Sequence, residues 1–523
     1  MQQAFTDPGD WIVILPVALP LIGAALLLML HSLRDLHWIL AMAVAVAVIA
    51  CDLELLRRTL ETGPLSMTMG NWLPPFGISF TADAMGAAFA LTSAAVALLL
   101  MVYVEGGPPE SRPQGLHRLM LLLLAGVSGC FLTGDLFNLY VWFEVMLIAS
   151  FGLMVLGGTR RQLDGAVKYG FLNFLATTFF LLALGLLYGL LGTLNMADIV
   201  ARAPSANPAA MAGVAALFLL AFGMKAAAFP VNNWLPASYH TPPPAVSALL
   251  AGLLTKVGVY ALLRSLVMIL PASRDLLDPV LALVAGLTLV IAPLGAIAET
   301  NLRRALGFLV IGGVGAAMLG IALPDANGIG GSAMYILHAM LTVTALYLAA
   351  GLIEAATGAT DSRQMGGLYA ASSMLSLIFL TLVLAISGVP PFLGFWPKLL
   401  LLEAGIDGSG LVAGGEISWV PLLLAGAILL NALLTLIAGT RLWAHIFWRA
   451  GHETSPELAN PNLRPLGVRQ GWFGLGATAA LTFIVVALGM VPTAVLELGR
   501  AAAIDLLDPA AYIAATGLAG GGP

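Results

Sequence analysis

The sequence predicts an all-α polytopic membrane protein of about fourteen transmembrane helices, two of them broken beside lysines. Three observations carry that expectation. Hydrophobic residues make up 60% of the 523-residue chain and charged ones 9%, where soluble proteins carry roughly 25% charge. The mean hydropathy of +0.97 is spread along the whole length. Of only four lysines, three lie inside apolar segments: Lys225 in LFLLAFGMKAAAF, Lys256 in AVSALLAGLLTKVGVYALL and Lys398 in GVPPFLGFWPKLLLL.

Apolar runs of roughly 18 residues, the length that crosses a hydrocarbon core, begin near Trp11, His37, Ala82, Leu116, Leu136, Gly165, Ala209, Ala245, Pro279, Ala305, Gly331, Met374, Val420 and Trp472. The first has no basic segment before it and is long enough to span, so a membrane helix is expected there and not a cleavable signal. The fourth and fifth are parted only by Thr133-Gly134-Asp135, a tight antiparallel turn. The main loops are 105–115, 195–208 and 448–470, and from Gly499 onward the chain is expected not to span. Cys51 and Cys130 both lie in apolar stretches, as packing residues and not as a disulfide framework. Basic residues of the odd-numbered loops outnumber those of the even loops and termini thirteen to six. The positive-inside rule then places both termini outside the cytoplasm of a cell membrane.

Two spans are interrupted. After Lys225 the chain reads Phe229-Pro230-Val231-Asn232-Asn233-Trp234-Leu235-Pro236, then His240-Thr241-Pro242-Pro243-Pro244. Before Lys398 it reads Ser387-Gly388-Val389-Pro390-Pro391-Phe392-Leu393-Gly394-Phe395-Trp396-Pro397. Each proline removes a backbone donor and clashes with the preceding turn, so Pro230, Pro236, Pro390 and Pro391 mark the hinges. The freed carbonyls need water or polar partners. Interrupted helices seven and twelve, five apart and therefore opposite in orientation, point to an inverted-repeat transporter with its ion path at the breaks.

Chemistry accompanies the breaks. Glu144, in LFNLYVWFEVMLIASFGLMVL, is embedded as deeply as the three lysines. A charge at mid-membrane costs at least about 2.5 kcal/mol, so four such groups are expected to be used. A lysine in an apolar site can give up its proton, whereas arginine stays charged. The eighteen arginines lie almost entirely in the connecting loops.

TGDLFNLYVWFEVMLIASF, the Lys225 segment running into FPVNNWLPASYHTPPPAVSALLAGLLTKVGVY, and SGVPPFLGFWPK together resemble one family. It comprises the antiporter-like membrane subunits of respiratory complex I and of Mrp-type multisubunit sodium/proton antiporters. The similarity covers roughly residues 75–445, and GDLFNLYVWFE is most similar to the D-type branch of the Mrp antiporter subunits. The length fits that branch better than the largest subunits of the family, which carry long C-terminal extensions.

The resemblance implies fourteen helices with an inverted repeat of helices 4–8 and 9–13. The chain then divides into N-terminal helices (1–110), a first repeat (111–268), a second repeat (269–448) and a final segment with helix 14 (449–523). It also implies a proton-translocating axis of Glu144 paired to Lys225, then Lys256 and Lys398, with His338 of YILHAMLTVTALYL as the bridge, since His titrates near neutrality. His240 and Glu403 are further ion-path candidates. Helix ten departs from the family: Arg303-Arg304 is followed by ALGFLVIGGVGAAMLG, without a polar side chain, and receives no relay role.

Each residue also has a plainer reading. Glu144 and Lys225 could form a purely structural ion pair, Lys256 could snorkel, and Lys398 could cap broken-helix carbonyls. His338 could pack between helices and His240 against the proline run. Glu354 and Glu403 read as facing interfaces or lipid headgroups, and Asp83, Asp135 and Glu299 as helix caps. With no Walker loop, CxxC or metal-ligand cluster in the sequence, no cofactor, bound metal, catalytic residue or nucleic-acid partner is expected. The expected function is that of an ion-translocating subunit of a sodium (or other cation)/proton antiporter, working with other subunits in the lipid bilayer. The alternative is the proton-pumping membrane subunit of complex I or a membrane hydrogenase.

Overall fold

Fourteen apolar helical elements run through the computed structural model, which describes residues 8–33, 36–72, 76–107, 112–412, 417–449, 460 and 462–518. Eleven of the helices among these residues are long and apolar enough to cross a bilayer, and three shorter apolar helices complete the set. In chain order they are α1 (Leu15–Met29), α2 (His37–Thr62), α3 (Ala84–Gly106), α4 (Leu116–Leu132), α5 (Leu136–Val155), α6 (Arg160–Leu191) and α7a (Pro208–Ala226). There follow α8 (Pro244–Ile269), α9 (Asp278–Ala298), α10 (Leu302–Ala322), α11 (Ala326–Thr357), α12a (Ser373–Ser387), α13 (Trp419–Trp448) and α14 (Gln470–Met490). Past their breaks, helices seven and twelve resume as α7b (Trp234–Ser238) and α12b (Phe395–Gly408). Two short helices, α15 (Thr493–Leu507) and α16 (Ala510–Ala515), follow α14.

Most expected starts fall within a few residues of the observed ones. Two helices begin five residues ahead of expectation. α6 begins at Arg160 because Thr159 and Gln162 close a capping box, and α11 begins at Ala326 because Asp325 accepts from the Gly328 amide. A small antiparallel hairpin, β1 (Leu65–Thr68) against β2 (Ser79–Ala82), sits between α2 and α3 with Leu65 opposite Ala82. This hairpin lies outside the all-α expectation.

Burial separates core from periphery. The apolar windows of α8 and α11 are fully buried, whereas those of α2 and α13 are only 28% buried. α11 packs on α8, α10, α12b and α15, so it forms the centre of the bundle. Lys256 and His338 lie on these two core helices.

Backbone pairing between loops exposes the repeat. Ahead of α5, Asp135 bridges antiparallel to Asn195, and ahead of α10, Asn301 bridges antiparallel to Asp361. The bonds correspond: Leu136 N donates to Leu194 O at 2.9 Å and Met196 N to Gly134 O at 2.9 Å, while Leu302 N donates to Thr360 O at 3.0 Å and Ser362 N to Thr300 O at 2.9 Å. The two bridges stand five helices apart, at opposite ends of the spans, as an inverted repeat of helices 4–8 and 9–13 requires. Asp and Asn exchange places between them.

Candidate functional site

The break in helix seven is built from local bonding. α7a stops at Ala226, where Ala227 adopts a left-handed φ of 62° and the Phe229–Pro230 peptide is cis. Ala228 N donates to Gly223 O at 2.8 Å, Trp234 Nε1 to Met224 O at 3.1 Å and Phe229 N to Thr288 Oγ1 at 3.0 Å. These bonds satisfy groups that the interruption frees. Pro230 lies in the gap between α7a and α7b. Pro236 lies instead in the first turn of α7b, where a missing N–H leaves no bond unmade.

Lys225 occupies the last turn of α7a, so its charge faces the negative end of that half-helix. Its side chain is buried, with Nζ 4.8 Å from the Phe143 ring centroid. Tyr169, Asn173, Trp234 and Tyr239 line a small cavity beside it, of about 10 Å³, room for about one water. Glu144 acts on Lys225 electrostatically, but across a longer gap than a direct ion pair. The reason is visible on α5: Phe137, Val141 and Ile148 are 47%, 40% and 64% exposed. Glu144 falls on the same i, i+4, i+7, i+11 stripe and is half-buried.

Gly258 brings the first two lysines together. A Cβ at Gly258 would stand 2.9 Å from the Ala226 amide nitrogen, so only glycine lets α8 cross α7a this closely. Ala226 adjoins Lys225, and Gly258 lies two residues beyond Lys256. Lys256 is buried, and its Nζ donates to Ala251 O at 2.6 Å. It lies mid-helix within a fully buried window, away from any interface to which it could snorkel.

His338 and Lys398 meet at the second break. His338 is fully buried; its Nδ1 lies 3.1 Å from Thr342 Oγ1, and its Nε2 has no hydrogen-bond partner among the described residues. It is within electrostatic reach of both Lys256 and Lys398. A Cβ at Gly394 would stand 2.8 Å from that free Nε2, so the glycine lets the broken segment reach the imidazole. Pro390 and Pro391, joined by a cis peptide, lie in the gap between α12a and α12b. From the first turn of α12b, Lys398 Nζ reaches back to Ser387 O at 3.0 Å, Ile386 O at 3.2 Å and Asn431 Oδ1 at 3.4 Å. Asn431 is held in turn by donating to Leu289 O at 2.8 Å.

The two further candidates stand apart from this row. His240, in the turn before α8, places Nδ1 2.9 Å from Pro236 O, while its own carbonyl accepts from Arg161 at 3.2 Å. Burial pushes its imidazole down to about 4, and Arg161, Arg304 and Arg303 add to the effect against the Pro236 bond. Glu403 is half-buried on α12b.

Two buried ion pairs were not foreseen. Asp83 caps α3, as expected, by accepting from the Gly86 amide at 2.8 Å. Its other oxygen pairs with Arg264 at 2.7 Å, both side chains being essentially inaccessible. Arg264 also donates to Tyr260 Oη at 3.1 Å and lies against the Tyr512 ring of α16. Glu354, expected at an interface, instead pairs with Arg303 at 2.9 Å. Arg303 further donates to Pro242 O at 2.6 Å and Ser247 Oγ at 3.1 Å. The partners lie 181 residues apart in the first pair and 51 in the second, so no local pattern announces them. Lys256, Tyr260 and Arg264 do, however, share one face of α8 at a spacing of four.

Fold and site together define an inverted-repeat membrane protein whose broken helices carry buried lysines. The chain belongs to the NADH:quinone oxidoreductase/Mrp antiporter transmembrane family, whose family model matches residues 133–420. It is similar to the D subunit of the Na(+)/H(+) antiporter of Bacillus subtilis, at 36% identity over 444 residues, covering 84% of this chain and 88% of that one. The D subunit of the Na(+)/H(+) antiporter of Alkalihalophilus pseudofirmus is 32% identical over 504 residues, covering 96% and 98%. Among solved structures, a chain of the Mrp complex from Dietzia sp. superposes with a TM-score of 0.88 at 29% identity, covering 98% of this chain and 100% of that one.

Proposed function

We propose that this chain is the proton-translocating subunit of a multisubunit cation/proton antiporter, with sodium as the expected cation. Protons pass along Glu144, Lys225, Lys256, His338 and Lys398. The observation that carries the reading is the burial of three lysines, at 4%, 4% and 7% exposure, with His338 within electrostatic reach of the last two. Charged groups at that depth are expensive and are placed where ions move. Lys225 lies in the last turn of α7a, and the Lys398 ammonium reaches from the first turn of α12b to the last carbonyls of α12a, so both charges meet C-terminal half-helix carbonyls, which favour a cation. Each can trade its proton with a neighbour. His338, with one free ring nitrogen, can accept from one lysine and donate to the next.

The subunit works in a hetero-oligomer. Glu144 lies on a stripe of α5 that the described residues leave partly uncovered, and a carboxylate facing hydrocarbon is unfavourable. A neighbouring subunit covering α5 would bring Glu144 into a protein environment and couple it to Lys225. The complex sits in the cell membrane with both termini outside the cytoplasm. The driving force is an ion gradient, and the chain is a transporter subunit without catalytic residues of its own. The family's other branch, redox-linked proton pumping, uses the same lysine chemistry with different neighbours.

The test is sodium-driven proton movement in everted vesicles and in liposomes. We expect activity from vesicles containing the whole complex and none from liposomes holding this chain alone. Robust exchange by the purified single chain would overturn the multisubunit reading, and co-purified flavin or iron–sulfur protein would favour the redox branch.

A further inference from the structure

The N-terminal ends of α2, α4 and α14 and the C-terminal end of α3 line a cavity of about 480 Å³ to which none of the lysine-row residues contributes. All four ends belong to the face that carries the odd-numbered loops. Arg112, Arg118, Arg469, His37 and His117 line it, with Glu105 as the acidic residue. Glu105 is engaged by Arg112 at 2.7 Å, which leaves Arg118 and Arg469 as excess positive charge among the described residues. Among the described residues the Nε atoms of Arg112 and Arg118 are buried without hydrogen-bond partners, while His117 Nε2 stands 3.6 Å from Glu105 Oε1. Buried donors left unmade cost free energy unless a ligand satisfies them. Leu116 N donates to Pro113 O at 3.2 Å, and no side chain caps the amides that follow it in the first turn of α4.

What lies below the cavity argues for the kind of anion. From the cavity, α2 runs into the bilayer with Ile39, Val46, Leu53 and Leu60 exposed at 47%, 53%, 53% and 52%. Their spacing of seven makes one continuous apolar stripe. Beside Arg469, Trp472 is 79% exposed at the start of α14, the position that indole rings take at the headgroup level. A headgroup in the cavity with its acyl chains along α2 would satisfy both features. A free anion would use only the first.

We propose that this basic cavity binds the phosphodiester headgroup of an anionic phospholipid. Arg118 and Arg469 hold the phosphate, the α4 amides face it, and α2 carries the acyl chains. The site is separate from the lysine row, so failure of either reading leaves the other intact.

The probe is phosphatidylglycerol retained by the detergent-purified complex, measured by native mass spectrometry against phosphatidylcholine. The wild-type complex should retain phosphatidylglycerol preferentially. Arg118→Gln with Arg469→Gln should lower that retention on the order of tenfold, two surface cations being removed. Excess inorganic phosphate should leave wild-type retention unchanged, because it cannot occupy the apolar stripe. Equal retention of the two lipids by wild type would overturn the proposal without needing any variant to assemble. So would unchanged retention in an assembled double variant. Displacement of the lipid by inorganic phosphate would overturn it too, showing a free-anion site instead.

Discussion

Lys398 Nζ lies 3.0 Å from the carbonyl oxygen of Ser387, across the break that separates α12a from α12b. A helix interrupted in a membrane leaves carbonyls that water or a donor must satisfy. Here the ammonium of one half-helix satisfies the carbonyls of the other. The ammonium suits a structural clamp; a neutral amine would keep two N–H donors for Ile386 and Ser387 but lose the charge that their carbonyls favour. The break and the charge are therefore coupled.

Glu144→Gln should abolish sodium-driven proton movement in everted vesicles while the complex still assembles on a blue-native gel. The residue is half-buried on the open stripe of α5 and makes no direct ion pair, so neutralising it strands no close charged partner. Assembly is expected to survive for that reason. Normal antiport in assembled Glu144→Gln vesicles would remove Glu144 from the path.

Asp83→Ala should be destructive. It removes the cap on Gly86 and leaves the Arg264 guanidinium buried and unpaired. Breaking a buried pair from one side costs about 3–5 kcal/mol. The expected result is loss of the subunit from the complex or a large fall in its Tm. Asp83→Asn, which keeps the cap, should be milder. Asp83→Ala with Arg264→Met should cost less than the two single changes summed, because their effects are coupled. Additive losses would show that the pair contributes little.

Asp505 offers a pH test outside the spans. Its carboxyl accepts from the Ala84 amide at 3.4 Å. Burial first, and Asp83 second, raise it from 3.8 to about 6. A carboxyl with a raised pKa in the folded state favours that state when protonated. Its contribution is fully present below about pH 4 and is lost as pH rises through about 6. Hydrogen exchange in α15, corrected for intrinsic rates, should therefore show firmer docking at low pH, and Asp505→Asn should flatten the dependence. A wild-type profile identical to that of the variant would contradict this.

His240 is expected to stay neutral across ordinary pH, because burial holds it down to about 4. His240→Gln, which can still donate to Pro236, should leave the pH profile of antiport between about 6 and 8 unchanged in shape. A shifted profile would bring His240 into the proton path.

Much of the fold was legible because apolar runs report spans directly. The starts at His37, Leu116 and Leu136 coincide with α2, α4 and α5. Where the first turn is charged, as at Arg160, hydropathy placed the start too late and the capping residues held the information. The prolines located both breaks, but only bonding showed that Pro230 lies in its gap while Pro236 starts the resumed helix. Isolated lysines in apolar runs could be picked out one by one. The partners of Arg264 and Arg303 could not, because they come from distant helices. Nor could the distance between Glu144 and Lys225, which depends on how α5 turns its stripe toward the outside of this chain.

On the proposed function, Lys398 moves a proton and does not merely hold a charge. The direct measurement is sodium-driven antiport in everted vesicles carrying Lys398→Arg or Lys398→Gln, with assembly confirmed for each. Arginine keeps a fixed charge and donors for Ser387 and Ile386; glutamine keeps donors without charge. Both variants should assemble and both should lose most transport, because neither can release and regain a proton at this position. Near-normal antiport with arginine would show that a fixed charge is enough, and near-normal antiport with glutamine that a capping donor is enough. Either result would exclude proton transfer at Lys398.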